Sequence, residues 1–132
     1  MNKLLFYKAK SYTNNNETGY SKGRLLIMEV IKISELPVFT NPRGVSARKV
    51  LERDGLVLMN LLLKPGDVVQ AHTSPQNVVF QVVQGKGAIS VGDVESTVEK
   101  DDLVYSQKGI PHGLKAAPDQ EFHVLVWKLP TP

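Results

Sequence analysis

From Met28 onward, short runs rich in Val, Ile, Leu, Phe and Tyr alternate with Gly, Pro and Asp turns, and no stretch sustains a helical period with a cap. That pattern constrains the fold more than any other feature. Strands half buried on one face can hide that face only by packing sheet on sheet or by closing into a barrel. The predicted strands are Val30–Ile33, Ala47–Glu52, Leu56–Leu63, Val68–His72, Val78–Gln84, Ala88–Val91, Val94–Val98, Leu103–Ser106 and Phe122–Lys128. Asp54-Gly55 between the second and third is a strong hairpin signal. Lys64-Pro65-Gly66-Asp67 suits a type II turn. Gly85-Lys86-Gly87, Gly92-Asp93 and Lys100-Asp101-Asp102 mark further turns. The two prolines of the closing WKLPTP stop any further pairing.

Several function classes fall away on composition. The chain has 132 residues, one domain's worth, and no cysteine, which excludes disulfides, thiolate metal sites and cysteine nucleophiles. No apolar run approaches a membrane span, and the opening MNKLLFYKAK is too short and too interrupted for a secretory signal, so a cytoplasmic protein with no membrane partner is expected. The net charge of +3 comes from residues 1–27, where Lys3, Lys8, Lys10, Lys22 and Arg24 face only Glu17. The remainder is slightly acidic and has no basic stripe interleaved with aromatics, which argues against nucleic acid. Residues 1–27 read as a basic, Asn-rich, flexible extension, with Ser11 to Gly23 of loop composition. They fit either a translated stretch upstream of a natural start at Met28 or an arm that swaps onto a partner subunit. Residues 28–132 read as a single β domain.

The chemistry-bearing feature is a pair of histidines forty residues apart, each close to a glycine-bearing turn. His72 lies in PGDVVQAHTSPQNVVFQVVQGKG and His112 in KDDLVYSQKGIPHG. Two imidazoles can start a metal site but seldom complete one. Side chains alternate along a strand, so Gln70 and Ser74 are expected to share the inward face of His72. Val78, Phe80 and Val82 share a parity suited to an apolar interior. Tyr105 could serve as an acid near the mouth or simply pack. His123, on the last strand with Leu125 and Trp127, could supply a third imidazole or pack beside Trp127. The serines lack an acid–base partner pattern, so a serine-hydrolase triad is unsupported.

This layout resembles the cupin family, small all-β proteins built as a double-stranded β-helix or jelly-roll barrel. The first cupin motif is matched by Gly66, His72 and the closing Gly85. The second is matched by Gly109 and His112, with Asp101 standing at its first glycine, Gln107 at its proline and Ala116 at its asparagine. The resemblance spans roughly residues 40–128. It implies a divalent metal held by four side chains, for which this chain offers His72, Ser74 in place of the second histidine, Val78 in place of the glutamate, and His112. Valine cannot coordinate, and two imidazoles would hold Zn, Ni, Cu, Fe or Mn only weakly.

Three functions follow as expectations. One is a metal-dependent isomerase, lyase or oxygenase, with His123 as third ligand to His72 and His112. Another is a metal-free binding or sensor barrel for a small, partly apolar molecule, with Gln70, Ser74, Phe80 and Tyr105 around it. The third is a metal-free enzyme with a histidine as general base. The depleted ligand set favours a barrel that binds a small molecule, with at most a weakly held metal. A homodimer is also expected, with residues 28–51 able to supply an exchanged strand.

Overall fold

The computed structural model describes residues 3–8, 13–14, 17–18 and 25–132, with side chains from Met28 onward. The chain divides into two units, Met1–Glu35 and Leu36–Pro132. In the first, β1 (Lys3–Lys8) pairs antiparallel with β4 (Leu25–Val30), and β2 (Thr13–Asn14) pairs with β3 (Glu17–Thr18). A 3₁₀ turn over Ile33–Glu35 closes it, so the strand expected at Val30–Ile33 lies instead one turn earlier and belongs to this unit. The Asn-rich stretch expected to be loop, residues 11–23, falls largely outside the described residues.

The second unit carries nine strands: β5 (Phe39–Thr40), β6 (Ser46–Arg53), β7 (Leu56–Leu63), β8 (Val68–His72), β9 (Val78–Val91), β10 (Val94–Glu99), β11 (Leu103–Ser106), β12 (His112–Ala116) and β13 (Phe122–Lys128). They run antiparallel in the order β5-β6-β7-β13-β9-β12-β8, with β10 and β11 also on β9. The all-β jelly roll implied by the resemblance is thus observed. Asp54 and Gly55 both take positive φ between β6 and β7, the dihedrals a two-residue type I′ hairpin needs. Among the described residues no helix is long and apolar enough to cross a membrane.

Two local expectations need correction. Gly85-Lys86-Gly87 is not a turn between two strands: β9 runs unbroken from Val78 to Val91. Its first half pairs with β13 and β11, its second with β12 and β10, so one strand serves both faces of the roll. A bulge makes the crossing possible. The register against β13 slips between His123 and Val124, leaving Val83 as the extra residue on β9. Parity flips there: Val78, Phe80 and Val82 point into the core before it, Gly87 and Ile89 after it. The second correction is β12, which was not expected as a strand. Its five residues, HGLKA, are too short and too glycine- and lysine-marked to advertise one, yet they lie between β9 and β8.

The core gathers Leu63, Val78, Phe80, Val82, Ile89, Leu114, Phe122, Val124 and Val126. Phe122 is fully buried and sits against the bend of β9, 2.7 Å from where a Cβ on Gly87 would stand. Gly85 is tighter still: at φ +81° a side chain there would collide with the Glu121 carbonyl.

The bend makes a prediction. Gly85→Ala combines left-handed strain with a backbone collision and should cost about 3 kcal/mol or more. Gly109→Ala has the same sign of φ, +79°, but nothing within 4 Å of the new methyl. Strain alone should cost it about 1 kcal/mol. Urea denaturation of both variants decides; equal losses would show that close approach at the bend is not what constrains β9.

Candidate functional site

His72 and His112 are brought together by strand pairing. They are directly opposed on β8 and β12, with ring centroids 4.8 Å apart and planes at 79°. The two strands slip register beside this pair: Leu114 opposes Val69, so β8 carries one more residue than β12 over the same span. That bulge re-aims the end of β8. Val69 and His72 therefore face the same cavity, which strict alternation forbids. The His72 ring is held by its own strand, Nδ1 donating to the Gln70 carbonyl at 2.9 Å. A carbonyl only accepts, so Nδ1 carries the proton and Nε2 is left as the basic nitrogen. His112 is buried, hydrogen-bonded through Nδ1 to the buried Ser106 hydroxyl at 3.0 Å, and packed edge-on against Phe80.

Both imidazoles line a cavity of about 460 Å³. Phe39, Met59, Leu61, Phe80, Leu114 and Val126 supply much of its apolar wall. Ser74 and Val78, at the two positions where the resemblance implies metal ligands, line it too. The four positions converge, but Val78 has no donor atom and Ser74 offers only a hydroxyl. Ser74 is tied by its neighbours, its Oγ accepting from Gln76 N at 3.2 Å and its carbonyl from Gly109 N at 2.9 Å. Its hydroxyl proton remains available to a bound molecule.

Two cations also line this cavity, Arg43 and Lys128, and neither was singled out from the sequence. The signal for Lys128 was present: it shares parity with Phe122, Val124 and Val126, all buried, and so ends the inward face of β13. Arg43 is set by the turn Asn41–Gly44, where Gly44 N bonds the Asn41 carbonyl and the Asn41 side chain accepts from Arg43 N and Val45 N. The combined environment acts on His112. Burial, then the charges of His72, Lys128 and Arg43, lower its pKa from 6.5 to about 4. It is neutral at pH 7, which makes it a hydrogen-bonding group and a poor proton acceptor there.

The other expected site residues lie elsewhere. Gln70 is exposed and lines a separate, smaller cavity of about 140 Å³ with Ser90, Glu95 and Lys115, because the β8 bulge breaks the parity that would have turned it inward. Tyr105 is 58% exposed, since the inward residues of β11 are Val104 and Ser106. His123 cannot join the other two imidazoles: it has the parity of Leu125 and Trp127, opposite to buried Phe122 and Val124, and its Nε2 meets Glu121 at 3.0 Å. Trp127 on that same outer face donates to Gln81 at 3.1 Å.

A metal of the kind the resemblance implies does not fit this donor set. Among the described residues no three His, Cys, Asp or Glu side chains come together. The cavity offers two imidazoles, the hydroxyls of Thr73 and Ser74 and the side-chain amide of Asn41, but no carboxylate to balance a dication, and its two cations oppose one.

Comparison with known proteins agrees with the architecture. A family model described as a cupin domain matches residues 59–128. Among solved structures, a predicted oxalate decarboxylase from Thermotoga maritima superposes with a TM-score of 0.70 at 17% identity, covering 77% of this chain and 99% of that one. The polyketide cyclase RemF from Streptomyces resistomycificus gives 0.70 at 18% identity, covering 76% and 78%. An RmlC-like cupin from Shewanella frigidimarina gives 0.67 at 15% identity, covering 74% and 86%. No curated protein matches the chain. At these identities the structural likeness speaks to fold and not to activity.

The buried imidazole should be visible in the pH dependence of stability. With a native pKa near 4 against 6.5 unfolded, folding favours neutral His112. That contribution is complete above pH 6.5 and is lost as pH falls toward 4, a change of about 3 kcal/mol. Chemical denaturation between pH 7 and pH 4 should therefore show a steeper loss for the wild type than for His112→Gln. Parallel slopes, or an NMR titration of His112 centred near 6.5, would refute the burial account.

Proposed function

The chain belongs to the cupin family, and from that premise we propose that it is a barrel that binds a small, partly apolar molecule without a resident metal. The observation that carries this reading is the cavity itself. Its volume of about 460 Å³ lies within the range of small-molecule sites, its walls are mainly apolar, and His72, His112 and Ser74 are among the polar groups that line it. His72 Nε2 accepts from the bound molecule, and the Ser74 hydroxyl donates to it. His112, neutral and braced by Ser106, adds a directional contact without carrying charge. The wall contains no carboxylate to act as acid or base, and His112 binds a proton too weakly to serve as one at pH 7.

Ligand-observed NMR of the full chain against a panel of small metabolites tests the cavity. At least one compound should bind the wild type and lose about tenfold or more in affinity to Met59→Trp, which fills the space from one wall. Binding that survives this filling would place the site elsewhere. Silence across the panel would sink the reading.

Elemental analysis of tag-free protein tests the metal half. Zn, Ni, Cu, Fe and Mn should each stay far below one equivalent per chain, even after metal is added and the excess removed. Near-stoichiometric metal, lost in His112→Ala, would overturn it.

A further inference from the structure

The small-molecule reading leaves the class of ligand open, but the cavity's charges do not. Lys128 ends the inward face of β13, at a position where parity calls for a core residue. Arg43 is brought to the same cavity by the Asn41–Gly44 turn, whose Asx bonds hold the backbone on both sides of it. Among the described residues, neither forms an ion pair. Elsewhere on this unit Lys49, Lys86 and Lys115 each stand beside a glutamate, namely Glu52, Glu99 and Glu95. At the cavity, by contrast, two cations line a wall that contains no acid. Their field already reaches the buried ring of His112, in the direction of disfavouring further positive charge. Two like charges on the wall of a mainly apolar cavity favour an occupant that brings an anion.

We propose that the molecule held in this cavity is an apolar monocarboxylate, its carboxylate taken by Arg43 and Lys128 and its body by the wall of Phe39, Met59, Leu61 and Val126. This rests on the small-molecule reading given above and assigns the chemistry of that same site. The guanidinium can grip both carboxylate oxygens while the ammonium adds a point charge. A dicarboxylate is a poorer match, since the wall beyond the cations offers neutral polar side chains and hydrocarbon but no third Lys or Arg. His72, His112 and Ser74 remain free for a neutral polar group on the ligand's body.

The test uses matched acids and amides on the full chain, followed by calorimetry and by ¹H–¹⁵N spectra: phenylacetate against phenylacetamide, and octanoate against octanamide. Each acid should bind about tenfold or more tightly than its amide. Raising the salt should weaken the acids alone. In Arg43→Gln/Lys128→Gln the acids should fall to the affinity of the amides, and the ¹H–¹⁵N spectrum of the free variant should keep the wild-type dispersion, since Arg43 is exposed and Lys128 ends its strand. Equal affinity for acid and amide in the wild type overturns the anion assignment while the cavity stands as a binding site. A preference that persists in the double variant overturns it as well, since the anion is then held elsewhere. If neither acids nor amides bind while other neutral compounds of the panel do, the carboxylate assignment falls alone. Failure of every small molecule removes the underlying reading with it.

Discussion

The passage of β9 from one face of the roll to the other is the constraint on which the second unit depends. A single strand pairs first with β13 and β11 and then with β12 and β10. It can do so only because one extra residue enters at Val83 and because Gly85 and Gly87 let the Glu121 and Lys115 carbonyls approach where a side chain would stand. Phe122 seals the inside of that bend. The apolar set on both halves of β9 then faces one interior, despite the change of parity between them. The cavity is the part of this interior that the side chains leave unfilled.

Within it, polarity is arranged with little slack. Two imidazoles meet across the β8–β12 pair, one braced by its own backbone and one by a buried serine. No buried polar side-chain atom among the described residues lacks a hydrogen-bond partner, which is the condition under which polar groups can be kept in an apolar pocket. Charge is arranged differently. Positive groups line the cavity and carboxylates are absent from it, while Glu52, Glu95 and Glu99 stand beside lysines outside it. Where relatives implied by the resemblance would set a glutamate, Val78 is buried in the wall. Such a site favours an occupant that brings negative charge over one that brings positive charge.

A good part of this was legible from the residues. The strand succession, the Asp54-Gly55 hairpin and the convergence of His72, Ser74, Val78 and His112 all follow from turn chemistry and motif spacing. Asp101 is instructive: it stands where the motif has glycine and takes φ +76°, a conformation aspartate tolerates better than most residues. Gln70 was expected inward because alternation was carried straight through a bulge, and a bulge leaves almost no mark on composition; β9 was cut in two because Gly85 and Gly87 carry the composition of a turn where they serve a bend within one strand. His123 and Tyr105 were open between two faces, since a strand with apolar residues on both sides does not announce which is the core.

What the sequence alone determined is therefore the architecture and the poverty of its metal set: turn residues, strand residues and the types at the four motif positions are local properties, readable one at a time. What only the tertiary structure decided is which side chains share the cavity. Bulges in β8 and β9 reset the parity, and Arg43 and Lys128 come to the histidines' cavity from a loop and a strand far apart in the chain. Parity after a bulge and proximity across a closed roll are set by the pairing of distant strands, and no window of sequence contains both partners.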